Sequence, residues 1–128
     1  MILEKSVVSD LIERENLVAQ REFHVEHVGF IDILTKDCVI EVKELDSWKH
    51  ALGQVLAYSA ALPGNRKKRI HLFKRDGSSI DPAELEIVER ICLRFDVFCT
   101  FEGGTYVVRK HRVDRTLSYL DKFRFKGK

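Results

Sequence analysis

The sequence predicts an α/β domain with a mixed central sheet and helices on both faces. Three observations predict it. Apolar residues recur at helical spacing near the start and then switch to strand-like alternation. Three such strands follow one another with only short turns between them, which makes an antiparallel meander. Later strands alternate with helices, which implies parallel crossovers. The expected order is α-β-β-β-α-β-α-β, followed by a basic C-terminal helix or tail.

Residues 3–14 read as the first helix, because Leu3, Val7, Val8, Leu11 and Ile12 form one apolar stripe. Residues 22–27 alternate, with Glu22, His24 and Glu26 on one side and Phe23 and Val25 on the other. Gly29 breaks this strand, and Phe30-Ile31-Asp32-Ile33-Leu34 forms the second. Thr35-Lys36-Asp37 turns the chain into a third, Val39 to Lys43. Helical period returns over 47–62, with Ser47 as N-cap and Trp48, Leu52, Val55, Ser59 and Leu62 on one stripe. Pro63-Gly64-Asn65 ends it. Ile70-His71-Leu72-Phe73 is a short strand. Asp81-Pro82-Ala83-Glu84 has the form of a helix start: a capping Asp, Pro at the first position, Glu three residues after the cap. Asp96 to Phe101 is a strand, Gly103-Gly104 a turn and Tyr106–Val108 an edge strand. Residues 114–123 form a last amphipathic helix carrying Leu117, Leu120 and Phe123.

A chain of 128 residues suits a single domain, 1–128, with a basic extension over about 109–128. Its 45% hydrophobic and 33% charged residues mark a globular protein and exclude a disordered one. No apolar run approaches the roughly 18 residues of a membrane span, and Glu4, Lys5, Asp10 and Glu13 interrupt any secretory signal. Cys38, Cys92 and Cys99 are odd in number and form no C-x-x-C pair, so neither a disulfide framework nor a zinc site is expected. The expected location is intracellular and soluble, in cytoplasm or nucleus, with no membrane partner. His24 and His27 fall on opposite faces of a strand, and His50, His71 and His111 show no partners and read as surface or core-edge residues. The net charge of +2 hides an asymmetry: residues 1–60 hold 6 basic and 11 acidic groups, residues 61–128 hold 16 and 9. A basic half joined to an acidic half points to a polyanion partner.

The acids of the second and third strands need a separate explanation. Strand period puts Glu41 and Lys43 on one face, and a turn centred on Lys36-Asp37 sets Asp32 across from Glu41. Two like charges opposed in a half-buried sheet are destabilising. A hard divalent cation removes the conflict, since Mg²⁺ accepts two carboxylates, a backbone carbonyl and waters. Lys43 beside them could face a phosphate or orient an attacking water, a set suited to metal-assisted phosphodiester hydrolysis. Taken alone, Glu-x-Lys is weak, because strand edges often carry alternating solvated charges.

Asp32 followed after eight residues by Glu41-Val42-Lys43 resembles the core of the PD-(D/E)xK nuclease superfamily. Gly29-Phe30-Ile31-Asp32 resembles its glycine-led strand, with Ile31 where the family name has proline. The helix Trp48 to Tyr58 resembles the one after the motif, with Gln54 as a site-lining glutamine. Glu4 ahead of Val7, Val8 and Leu11 resembles the acidic first helix of archaeal Holliday-junction resolvases. Small nucleases of large DNA viruses and phages look similar. The resemblance implies a restriction-endonuclease-like fold and a Mg²⁺-dependent DNA endonuclease, with Mn²⁺ as a substitute. Such an enzyme cuts branched DNA and leaves 5′-phosphate and 3′-hydroxyl ends. The small size points to a homodimer, because a 128-residue domain has one site and paired strand cuts need two. The resemblance implies metal ligation by Asp32, Glu41, the Val42 carbonyl and Glu4, water orientation by Lys43, and Gln54 lining the site. A nicking or restriction-type enzyme on plain duplex or single strands keeps the same site. A non-catalytic nucleic-acid-binding module is the other alternative.

Candidate nucleic-acid contacts are Tyr58, the run Arg66-Lys67-Lys68-Arg69, and Arg109, Lys110, Arg112 and Arg115 of the tail. The tail also interleaves Tyr119, Phe123 and Phe125 with its cations, which suits a strand-tracking surface. The run 66–69 also reads as a solvated loop, and Tyr119, Leu120 and Phe123 as a dimer contact.

Overall fold

A computed structural model describes residues 1–102. Helix α1 (Glu4–Arg14) buries Val7, Val8 and Leu11 of the expected stripe, with Ile12 half-buried, whereas Leu3 precedes the helix and is exposed. Three antiparallel strands follow, β1 (Ala19–Val25), β2 (Gly29–Thr35) and β3 (Cys38–Glu44). A 3-10 turn over Leu45–Ser47 leads into α2 (Trp48–Ala61), so Ser47 enters the helix from a turn and makes no side-chain cap. The chain continues through β4 (Lys67–Phe73), α3 (Pro82–Arg94) and β5 (Val97–Phe101). At the start of α3 the Asp81 carboxylate accepts from the Ala83 amide at 3.0 Å, with Pro82 at the first position. The expected turn at Gly103-Gly104, edge strand 106–108, helix 114–123 and tail cations lie outside the described residues.

The sheet order is β1-β2-β3-β4-β5. β1, β2 and β3 pair antiparallel, and β3, β4 and β5 pair parallel. This is the mixed α/β sheet that the alternation predicts. β1 starts three residues earlier than expected and turns at 26–28. Its pairs with β2 flank but omit Glu22 opposite Asp32, and Glu22 sits at φ 50. β4 starts at Lys67 instead of Ile70, because parallel pairing with β3 begins at Cys38↔Lys67 and the Lys67 amide donates to the Asp37 carbonyl at 2.8 Å.

The core lies on both faces. Leu52 and Val55 of α2 and Leu85 and Val88 of α3 pack on Val39, Ile70 and Leu72. On the other face α1 packs on Ile33, Ile40, Val42 and Phe73. A polar network fastens the C-terminal end of α1 to β4 and β5. Arg14 donates two hydrogen bonds to Glu102, at 3.1 and 2.8 Å. Arg69 does the same to Glu15, at 2.7 and 2.8 Å, and donates to Thr100 Oγ1 at 2.9 Å. His71, expected at the surface or the core edge, is fully buried between Thr100 Oγ1 and Glu102 Oε2, each 2.6 Å from a ring nitrogen.

Candidate functional site

β2 and β3 form the hairpin expected around Lys36-Asp37, pairing Ile33 with Ile40 and Leu34 with Val39. Thr35 closes the turn: its Oγ1 accepts from the amides of Asp37 at 3.2 Å and Cys38 at 2.9 Å. Beyond Ile33 and Ile40 the ladder stops. There the Asp32 amide donates to Glu41 Oε2 at 3.0 Å, and the Val42 amide donates to Asp32 Oδ2 at 2.9 Å. Each carboxylate reaches across to the backbone of the opposite strand and does what a ladder carbonyl does elsewhere. The two acids therefore close the gap between the strands reciprocally.

Burial makes this expensive. Glu41 is 1% exposed and Asp32 is half-buried. Burial pushes the Glu41 carboxyl up to about 8, the Asp32 charge adds to the rise, and the Asp32 amide and Lys43 oppose it. Asp32 is raised too, first by burial and then by Glu4, against the Val42 amide and Lys43. Two acids this close share the penalty, so each favours the protonated form of the pair. Glu4 in the first turn of α1 and Lys43 on β3 are near enough to act on both. The structure thus brings Asp32 and Glu41 together, with Glu4 and Lys43 acting on them as charges.

Helix α2 covers the head of β2. Tyr58 is buried, and its hydroxyl sits so close to Gly29 that a Cβ there would lie 2.6 Å from it. Gly29 also has φ +143, so only glycine suits both the backbone and the contact. A buried Tyr58 offers no face for stacking on a base, which corrects its assignment as a nucleic-acid contact. Gln54, one turn earlier, is half-buried, and its Oε1 has no partner among the described residues.

Two carboxylates with water filling the remaining positions is a set that Mg²⁺ accepts. Among the described residues no three His, Cys, Asp or Glu side chains group closely enough to cage a metal ion. Glu4 is felt as a charge without completing such a group. The described residues therefore provide no protein cage for a cation.

The basic run divides. Arg69 is turned inward onto Thr100 and Glu15, so it is not free to grip a phosphate. Arg66 is half-buried and donates to the carbonyls of Thr35 at 3.0 Å and Pro63 at 3.4 Å. Lys67 is exposed and Lys68 half-buried on β4. Lys36, which the sequence places only in a turn, joins Arg66 and Lys67 in lining one cleft. No pattern in the sequence announces that meeting, because it depends on parallel pairing between strands thirty residues apart.

Three relatives stand out, all from Acanthamoeba polyphaga mimivirus. One is 48% identical over 60 residues, 47% of this chain and 16% of the relative. A second is 36% identical over 77 residues, 59% and 29%. A third is 33% identical over 69 residues, 54% and 18%. All three are putative KilA-N domain-containing proteins. The chain thus spans less than a third of the length of each. No family model matches the chain. No solved structure matches it.

These relatives overturn the expected membership of the PD-(D/E)xK superfamily and with it the resolvase-like endonuclease reading. The physical reason is that the motif is small. Two acids and a lysine on adjacent strands also arise where carboxylates close a hairpin gap, which is the role the hydrogen bonds give them here.

Proposed function

We propose that this chain is a nucleic-acid-binding module with DNA as its partner. The observation that carries the reading is its similarity to viral KilA-N domain-containing proteins, KilA-N being a DNA-binding domain family. The charge asymmetry supports it, since cations are concentrated after residue 60 and a polyanion is what they would meet. Phe30 adds an aromatic surface: it is 58% exposed, and its ring lies 4.8 Å from that of His24. Among the described residues no helix is long and apolar enough to cross a membrane.

Binding of this kind is driven by phosphate neutralisation, so it tolerates many sequences and weakens with salt. Mg²⁺, with Mn²⁺ as its substitute, enters as an accessory. Asp32 and Glu41 would hold it, and it would supply positive charge that a phosphate can meet. The finer form of the reading is a homodimer with a preference for branched DNA. The test is a metal-free gel-shift panel of duplex, single-stranded, flap and four-way-junction DNA, repeated with Mg²⁺, with the mass followed by light scattering. The reading expects bands shifted at micromolar protein on at least one substrate. An unshifted panel at low salt contradicts it.

A further inference from the structure

We infer that the cleft between the β2–β3 turn and the loop after α2 is a phosphate-binding site that takes a backbone phosphate of nucleic acid. The source of the phosphate rests on the reading above, whereas the site itself rests on geometry. The cleft has a volume of about 420 Å³ and is lined by Lys36, Asp37, Arg66 and Lys67 and by the loop Pro63-Gly64-Asn65. Three cations meet one carboxylate there. Lys36 and Lys67 are exposed, so their ammonium groups are free to follow a ligand.

Arg66 is held in a different way. Its Nε donates to the Thr35 carbonyl on one wall and its Nη1 to the Pro63 carbonyl on the other. A guanidinium has five N–H donors, so two are used in fixing it and the others remain for an oxyanion. The backbone adds further donors. Among the described residues the amides of Gly64, Asn65 and Arg66 donate no hydrogen bond, whereas the Lys67 amide is fixed on Asp37. Gly64 turns this loop at φ +90. Consecutive free amides beside a fixed guanidinium are what an anion-binding concavity is made of. Asp37 opposes the ligand, and its charge keeps the site from being a general anion sink.

The site is distinct from the carboxylate pair. Asp37 and Glu41 are four residues apart along an extended strand, about 13 Å. An anion at the turn is therefore not repelled at contact distance by Asp32 and Glu41.

The test uses the full chain in two arms. In the first, inorganic pyrophosphate is titrated into ¹⁵N-labelled protein. In the second, binding of labelled duplex and single-stranded oligonucleotides is followed by anisotropy. Both compare the wild type with Lys36→Gln/Arg66→Gln/Lys67→Gln and with a control, Lys49→Gln/Arg90→Gln/Arg94→Gln, which removes the same charge from exposed helical positions. Pyrophosphate is expected to shift the amides of Gly64, Asn65 and Arg66 in the wild type and the control but not in the cleft variant. The cleft variant is expected to lose about tenfold or more in oligonucleotide affinity and to lower the salt slope by about 2 to 3. Lys36→Gln alone, at an exposed turn position, serves if the triple variant misfolds, with a slope lowered by about 1. Oligonucleotide binding that the cleft variant retains at wild-type strength overturns the inference and leaves the proposed function standing. Amide shifts without oligonucleotide binding by the wild type keep a phosphate site and overturn the nucleic-acid source together with the proposed function. Absent amide shifts overturn the site.

Discussion

Glu41 holds its place at a cost. Its carboxyl titrates near 8 in the fold and near 4.5 in the unfolded chain. Between those values the unfolded chain has released its proton and the fold has not, so stability falls as pH rises from about 4.5 to about 8. At roughly 1.4 kcal/mol per pH unit, the full penalty is a few kcal/mol. Glu41→Gln keeps an oxygen for the Asp32 amide and removes the charge. It should raise the melting temperature at pH 8 and leave it nearly unchanged at pH 4. Equal gains at the two pH values would remove the buried-proton account. Glu102 has the opposite sign. Burial alone would raise it, but hydrogen bonds from His71 and Arg14 bring it down to about 2. It therefore stabilises the fold above about pH 4.5, and that contribution is lost as pH falls towards 2. Glu102→Gln should flatten that acid limb in urea melts followed from pH 5 to 2. At this scale the sequence was only partly legible. The Asp32–Glu41 register follows from the turn, because hairpin pairing is fixed by where the chain reverses. The reciprocal bonds into the backbone do not follow, nor does the burial of His71, whose partners Thr100 and Glu102 lie 29 and 31 residues away.

Among elements, the most legible were those whose signals are local. The start of α3 was readable from Asp81-Pro82-Ala83-Glu84, and the cap bond is there. Asp81→Ala should cost about 1 kcal/mol, with Asp81→Asn costing much less, as read by urea denaturation. The head of β2 is governed by contact with α2. Gly29→Ala should cost about 1–3 kcal/mol, because it joins an unfavourable φ to a clash with Tyr58. Tyr58→Phe in that background should recover part of the loss, and a double-mutant cycle with no coupling would show that the hydroxyl is not the obstacle. Strand ends were less legible. Lys67 to Arg69 resembles a solvated loop, yet parallel pairing with β3 makes it strand, and Arg69 then turns inward to Glu15.

Over the whole molecule, the class and the mixed sheet were legible because period changes and connection lengths constrain topology strongly. Function was not, because a short acid–lysine motif on adjacent strands is compatible with more than one role and a fold can host many. The relatives redirect the account from scission to binding. A module that binds through phosphate neutralisation releases counterions as it does so. The most direct measurement is the dissociation constant of the full chain for a labelled DNA duplex between 50 and 200 mM salt, about the range over which such contacts weaken strongly. The account predicts a linear fall of log affinity with log salt, with a slope of about −2 or steeper. A salt-independent affinity, or no binding at 50 mM, the low end of roughly that range, would contradict it.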